Sequence, residues 1–172
     1  KVMNWIQNNN LNFYPTKDLR QLILAPFSEF VLLHLYLSFN TDIFSNLVQW
    51  YSMFVSCITV TLIIKELGCN YKFQILGVLF CSTLPMGILQ SSSTQTDYVT
   101  TMWLVTMVYF LLKYINTDFL RYLIGFAISI ALGILTKGTT YIFAFPFCIW
   151  LALYVIFKNR KHFWYLFIIP LV

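Results

Sequence analysis

The chain alternates long apolar runs with short polar linkers, and the period of the runs is that of membrane-spanning helices. Four runs reach or approach the roughly 20 residues needed to cross a bilayer. They are Ile43–Ile64, Phe73–Leu89, Thr96–Ile115 and Phe119–Thr136. A fifth runs from about Thr139 to Phe157, and a sixth opens near Phe163 and is cut off at Val172. "LPMG" at residues 84–87 and Pro146 each predict a kink, which packed membrane helices tolerate. Ala25–Phe39, "APFSEFVLLHLYLSF", is shorter: fifteen residues make a helix of about 22 Å against a core of roughly 30 Å. That length favours an interfacial or re-entrant helix over a spanning one. Residues 1–24 are polar and aromatic without a clear period. The triple Asn and "YPTKD" read as loop and turn, with Trp5, Phe13 and Tyr14 at headgroup level. The predicted organisation is one membrane domain: 1–24 an outer loop, 25–39 a juxtamembrane helix, 43–172 transmembrane helices. The fold class is all-α, a polytopic helical bundle.

Two polar patterns say which faces pack. Ser45, Gln49, Ser52, Ser56 and Thr59 recur at steps of three and four along the first span, so that face should turn into the bundle. Gly125, Ser129 and Gly133 form a small-residue stripe at intervals of four that ends in Lys137, and such stripes allow close helix approach in lipid. In the third span Asp97, Thr100 and Thr101 share the helix start.

Composition agrees with the pattern. Of 172 residues 59% are hydrophobic and 10% charged, and the mean hydropathy is +0.74. A soluble domain of this length could not cover that much apolar side chain. The net charge of +5 does not point to nucleic acid, because the basic residues are scattered between spans and serve as topology signals. Lys65 and Lys72, Lys113 and Arg121, and Lys158, Arg160 and Lys161 fall in alternate linkers. The intervening linkers "QSSSTQTD" and "TKGTT" hold one lysine between them. By the positive-inside rule the three basic linkers are cytoplasmic, and Asp97 and Lys137 lie at the outer face. An interfacial 25–39 helix puts Glu29 there too; a spanning one moves it to the cytoplasmic side. Of Cys57, Cys69, Cys81 and Cys148, three lie in apolar spans and none forms a CxxC pair, so buried small hydrophobes are expected. The chain opens on Lys1 without a signal-peptide pattern, which suggests an internal piece of a longer protein.

The charged residues each carry a plain reading and a chemical one. Asp97, at the end of "LQSSSTQTD", suits a helix first turn with Thr96 as cap, and the polar run before it can line a wet cavity. Lys137 suits a helix C-terminus and can snorkel, but it breaks the charge pattern and lies on the close-packed stripe. It can pair with Asp97 or bind an anion such as a lipid phosphate at the outer leaflet. Glu29 suits the first turn of an interfacial helix. Arg20 and Lys17 can meet headgroups or help to hold a phosphate. His34 reads as a packing histidine and His162 as added loop charge. No GxGxxG or GxxxxGK[ST] motif is present, so no nucleotide cofactor is expected, and an outer anionic site favours a lipid-linked donor.

Four stretches carry a resemblance: "NWIQNNNLNFYPTKDLRQLILAPFSEFVLLHLYL", "NLVQWYSMFVS", "LPMGILQSSSTQTDYVTTMWL" and "LIGFAISIALGILTKGTTY". In this order they resemble the GT-C membrane glycosyltransferases of family 39, the protein mannosyltransferase and aminoarabinose transferase-like enzymes. The resemblance implies transfer of a sugar from a polyprenyl-phosphate donor to an acceptor on the non-cytoplasmic face, in the plasma membrane of a bacterium or archaeon. It implies membrane lipid and the polyprenyl-phosphate sugar as partners, no nucleic acid, and an acceptor and a divalent metal that are left open. The family's principal catalytic carboxylate would precede Lys1. Asp97 and Glu29 then carry catalytic roles, and Lys137 and Arg20 bind the donor phosphate. "APFSEF" departs from the family's "PP" helix start around Glu29. The alternative is a transporter or flippase fragment with an outer Asp/Lys gate.

Overall fold

A computed structural model describes residues 1–12, 14–17 and 25–157. Eight helices and no strand are found among these residues. They are α1 (Val2–Asn8), α2 (Phe27–Phe39), α3 (Leu47–Glu66), α4 (Tyr71–Ser82), α5 (Pro85–Ser91), α6 (Asp97–Thr117), α7 (Leu120–Thr136) and α8 (Thr140–Phe157). Phe13, Arg20, the basic linker 158–162 and the run from Phe163 lie outside the described residues.

Three helices, α3, α6 and α8, are long and apolar enough to cross a membrane, and α4 with α5 makes a fourth if the bent pair is one span. At 17 residues α7 is about 26 Å long and runs between α6 and α8. The helical membrane bundle expected from the sequence is the fold observed.

The break in the second run is sharper than a kink. α4 and α5 meet at 66°. Pro85 opens α5 at its first turn, where it has no N–H to lose, and Leu84 is extended, as a residue before proline prefers. Hydroxyls at the end of α4 bond back into the helix: Thr83 donates to Leu79 O at 2.8 Å, and Ser82 to the same oxygen at 3.1 Å. Pro146, by contrast, sits inside a continuous α8.

The N-terminal stretch also differs from expectation. Residues 2–8 form a helix rather than a loop. Trp5 stacks on Phe30 of α2, centroids 5.3 Å apart, and is the one buried residue of α1. A single anchor leaves no period to read in the sequence.

α6 is the centre of the bundle, packed on α3, α7 and α8. Its Met107, Leu111 and Tyr114 join Leu123 and Phe126 of α7 and Ala144, Leu151 and Val155 of α8 in one apolar core. The α3 face against α6 is polar. Gln49, Ser52, Ser56 and Thr59 are buried, as their spacing predicts, while Ser45, the first of the expected face, precedes the helix and is half-buried. Each hydroxyl of that seam bonds back to its own helix: Ser52 to Val48 O, Ser56 to Ser52 O and Thr59 to Val55 O, at 2.7, 2.7 and 2.8 Å. The hydroxyls are thus satisfied locally, and the small side chains let α3 and α6 approach.

At the end of the bundle opposite Asp97, ion and hydrogen bonds tie three helices. Lys113 donates to Glu66 at 2.6 Å, and Asn116 donates to the Glu66 carboxylate and carbonyl at 3.2 Å each. Tyr154 of α8 donates to Asp118 at 2.9 Å, next to Ile115 O at 3.0 Å. The linkers after α3 and α6, both basic, therefore lie at one end. The residues 91–96 and 137–139 lie at the other.

Candidate functional site

Asp97 and Lys137 meet. The Lys137 ammonium is in an ion pair with Asp97 Oδ1, and both side chains keep about a third of their surface open. Forty residues of sequence separate them. The local structure places each one separately. Asp97 opens α6, where the helix dipole favours a carboxylate. Lys137 closes α7, where the dipole favours a cation, and its N–H bonds Gly133 O at 2.9 Å. The plain readings and the chemical one are compatible, since each residue suits its helix end and the ends coincide.

The geometry comes from two close contacts. Gly133 lies against Thr140: a Cβ there would be 2.8 Å from Thr140 Cγ2 and 3.5 Å from Trp103 Cβ. Thr140 is fully buried and donates to Gly133 O at 2.8 Å. This bond closes the α7–α8 hairpin around residues 137–139 and fixes where Lys137 begins. On the other side, Gln49 of α3 accepts from the Tyr98 N–H at 2.9 Å. Gln49 is 1% exposed, so α6 takes its N-terminal partner from another helix. Thr96 occupies the cap position, but its side chain makes no capping bond. That corrects the expected Thr96 cap and identifies Gln49 as a residue whose role the sequence did not reveal. Its signal was there: the one amide in a face otherwise of Ser and Thr. Tyr98 in turn reaches over Gly87 of α5, where a Cβ would collide with its hydroxyl.

The serines of the polar run close α5. Ser91, Ser92 and Ser93 donate to Ile88 O, Leu89 O and Gln90 O at 2.8, 3.0 and 2.8 Å. Thr101 is exposed, so of the expected trio only Thr100 is buried with the helix start.

Glu29 is not joined to that pair. Its Oε1 lies 3.8 Å from Lys1 Nζ, and its Oε2 is buried without a partner. It sits in the first turn of α2, and the neighbouring Phe27 sets its ring edge-on to Trp103 of α6 at 6.2 Å. His34 is exposed on α2. Arg20, the second phosphate ligand expected, lies outside the described residues. No group of three or more His, Cys, Asp or Glu residues able to hold a metal is found among the described residues. Cys57 is buried, Cys69 is exposed, and Cys81 and Cys148 are intermediate; all four are free.

A family model described as Dolichyl-phosphate-mannose-protein mannosyltransferase matches residues 25–172, most of the chain. The chain belongs to this mannosyltransferase family. It is thus a GT-C type membrane glycosyltransferase chain, and both members of the Asp97–Lys137 pair fall within the matched region. No curated protein and no solved structure matches the chain. Membership of the mannosyltransferase family agrees with the apolar helices in giving the chain a membrane setting.

Proposed function

We propose that this chain holds the donor-phosphate side of a glycosyltransferase site on the non-cytoplasmic face of the plasma membrane, and that Lys137 binds the phosphate of a polyprenyl-phosphate sugar. The observation that carries the reading is the Asp97–Lys137 pair, about a third open, at the bundle end opposite the Glu66 and Lys113 linkers. The basic linkers belong inside by the positive-inside rule, which puts the pair outside.

In the reaction, the acceptor hydroxyl oxygen bonds to the anomeric carbon as the bond from that carbon to the phosphate oxygen breaks. The phosphate leaves with the electron pair, and a base takes the acceptor proton. Charge therefore grows on the phosphate, and a fixed ammonium there stabilises the transition state more than the ground state. Asp97 positions Lys137 in the empty site and shares it with the phosphate when the donor arrives. Glu29 serves as a further carboxylate, and Arg20, which lies outside the described residues, is assigned as a second phosphate ligand from the sequence alone.

The test uses the full-length protein in native membranes, which supply the acceptor, with dolichyl-phosphate mannose as donor. Lys137→Met is expected to cut turnover by about a hundredfold, as loss of one charged transition-state contact does. Asp97→Asn is expected to cut it by about tenfold, through a misplaced lysine. Both variants keep wild-type expression. Unchanged turnover in both removes the pair from the site.

A further inference from the structure

Three polar atoms of α2 and α6, two helices joined by the Phe27–Trp103 contact, are buried without partners. They are Ser28 Oγ, Glu29 Oε2 and Trp103 Nε1. Ser28 as a whole is 2% exposed. Native interiors pair such atoms almost without exception, and a buried indole N–H in particular finds an acceptor. The edge-on contact of Phe27 with Trp103 ties the first turn of α2 to the second turn of α6. Trp103 also borders Gly133, whose carbonyl holds the Lys137 N–H at 2.9 Å. Trp103 thus joins the first turn of α2 to the residue that sets Lys137.

Their chemistry selects a ligand. The indole nitrogen only donates, a carboxylate oxygen only accepts, and a serine hydroxyl does both. An ionised phosphate offers only acceptors, so it would leave the Glu29 oxygen, itself only an acceptor, without a donor. A ring of hydroxyls gives and takes at adjacent positions and fits all three.

We propose that Trp103, Ser28 and Glu29 form the sugar pocket of the donor site, with Trp103 and Ser28 the specificity-determining residues that read the hydroxyls of the transferred sugar. This rests on the reading of Lys137 as phosphate ligand: the sugar lies toward α2 and its phosphate toward the end of α7.

The experiment separates the two. Binding of dolichyl phosphate and of dolichyl-phosphate mannose to the detergent-solubilised full-length protein is measured, and the ratio of the two affinities reports the sugar alone. Trp103→Phe keeps the ring and removes the N–H; Ser28→Ala removes only the hydroxyl. Each is expected to lower the mannose-dependent ratio by about tenfold, the effect of one lost hydrogen bond in a closed site. Binding of bare dolichyl phosphate should stay as in the wild type. Lys137→Met should weaken both lipids together and leave the ratio intact. Ser28→Ala also removes an orphaned polar atom, so the ligand-free variant should melt no lower than wild type, which guards against a folding defect. An unchanged ratio in both Trp103→Phe and Ser28→Ala, as when water alone fills these positions, overturns the sugar pocket. A normal ratio change with Lys137→Met binding both lipids normally overturns the phosphate reading instead.

Discussion

Replacing Gly133 by alanine puts a methyl group 2.8 Å from Thr140 Cγ2 and 3.3 Å from Thr140 Oγ1. Thr140 has no easy retreat. It is fully buried, β-branched, and pinned by its own hydrogen bond to Gly133 O. On an open helix the change would gain about 1 kcal/mol from helix propensity. Here overpacking costs about 1–3 kcal/mol, and rotation of Thr140 forfeits a bond of about 1 kcal/mol. The net expectation is a loss of about 2 kcal/mol. Thr140→Ser keeps the hydroxyl bond, deletes the Cγ2 methyl, and alone costs about 1 kcal/mol for lost packing. In the double variant the alanine methyl takes the vacated place, so its cost should fall below that of Gly133→Ala alone. The two changes are then coupled by about 2 kcal/mol rather than additive. Thermal unfolding of the four proteins in detergent measures the cycle, and donor binding follows the same order because Lys137 hangs from the Gly133 carbonyl. A Gly133→Ala protein as stable as wild type, or strict additivity with Thr140→Ser, would refute the close α7–α8 contact as the device that places Lys137.

Other glycines should divide by what they face. Gly125→Ala meets the Phe110 ring at 2.9–3.0 Å on three atoms and should cost about 1–3 kcal/mol, whereas Gly77→Ala meets chiefly the mobile tip of Ile64 and should be neutral or gain up to about 1 kcal/mol in the same melt. Native Cys69 is exposed beside Gly68 in the linker after α3, so an impermeant maleimide should label it in inside-out vesicles and not in intact cells; labelling from outside would invert the proposed topology. Glu66→Gln removes the carboxylate that Lys113 and Asn116 share and should lower the melting temperature, while donor binding at the opposite end persists in the folded fraction. Equal loss of donor binding and stability would place the Glu66 cluster in the site.

The bundle was legible because lipid imposes a simple demand. A helix that meets hydrocarbon must be apolar for its length, and its packed face must be small or locally satisfied. The Ser/Thr face of α3 from Gln49 on and the small stripe of α7 both follow from that, whereas the second run breaks at Pro85 into two helices. The helix-end chemistry of Asp97 and Lys137 was also readable, since a dipole acts within one turn of sequence. What the sequence lacked was any record of long-range partners. Gln49 reads as one more polar residue in a seam, yet it satisfies the first turn of α6 from another helix. The 66° turn at Pro85 brings α5 against Tyr98 of α6, which lies over Gly87. α1 exists through one stacked tryptophan. Above all, that Asp97 and Lys137 touch, and that Glu29 stands apart from them, follows from the way α2, α6 and α7 pack. Periodicity fixes which face of a helix turns inward; only the packed bundle decides which atom on that face meets which.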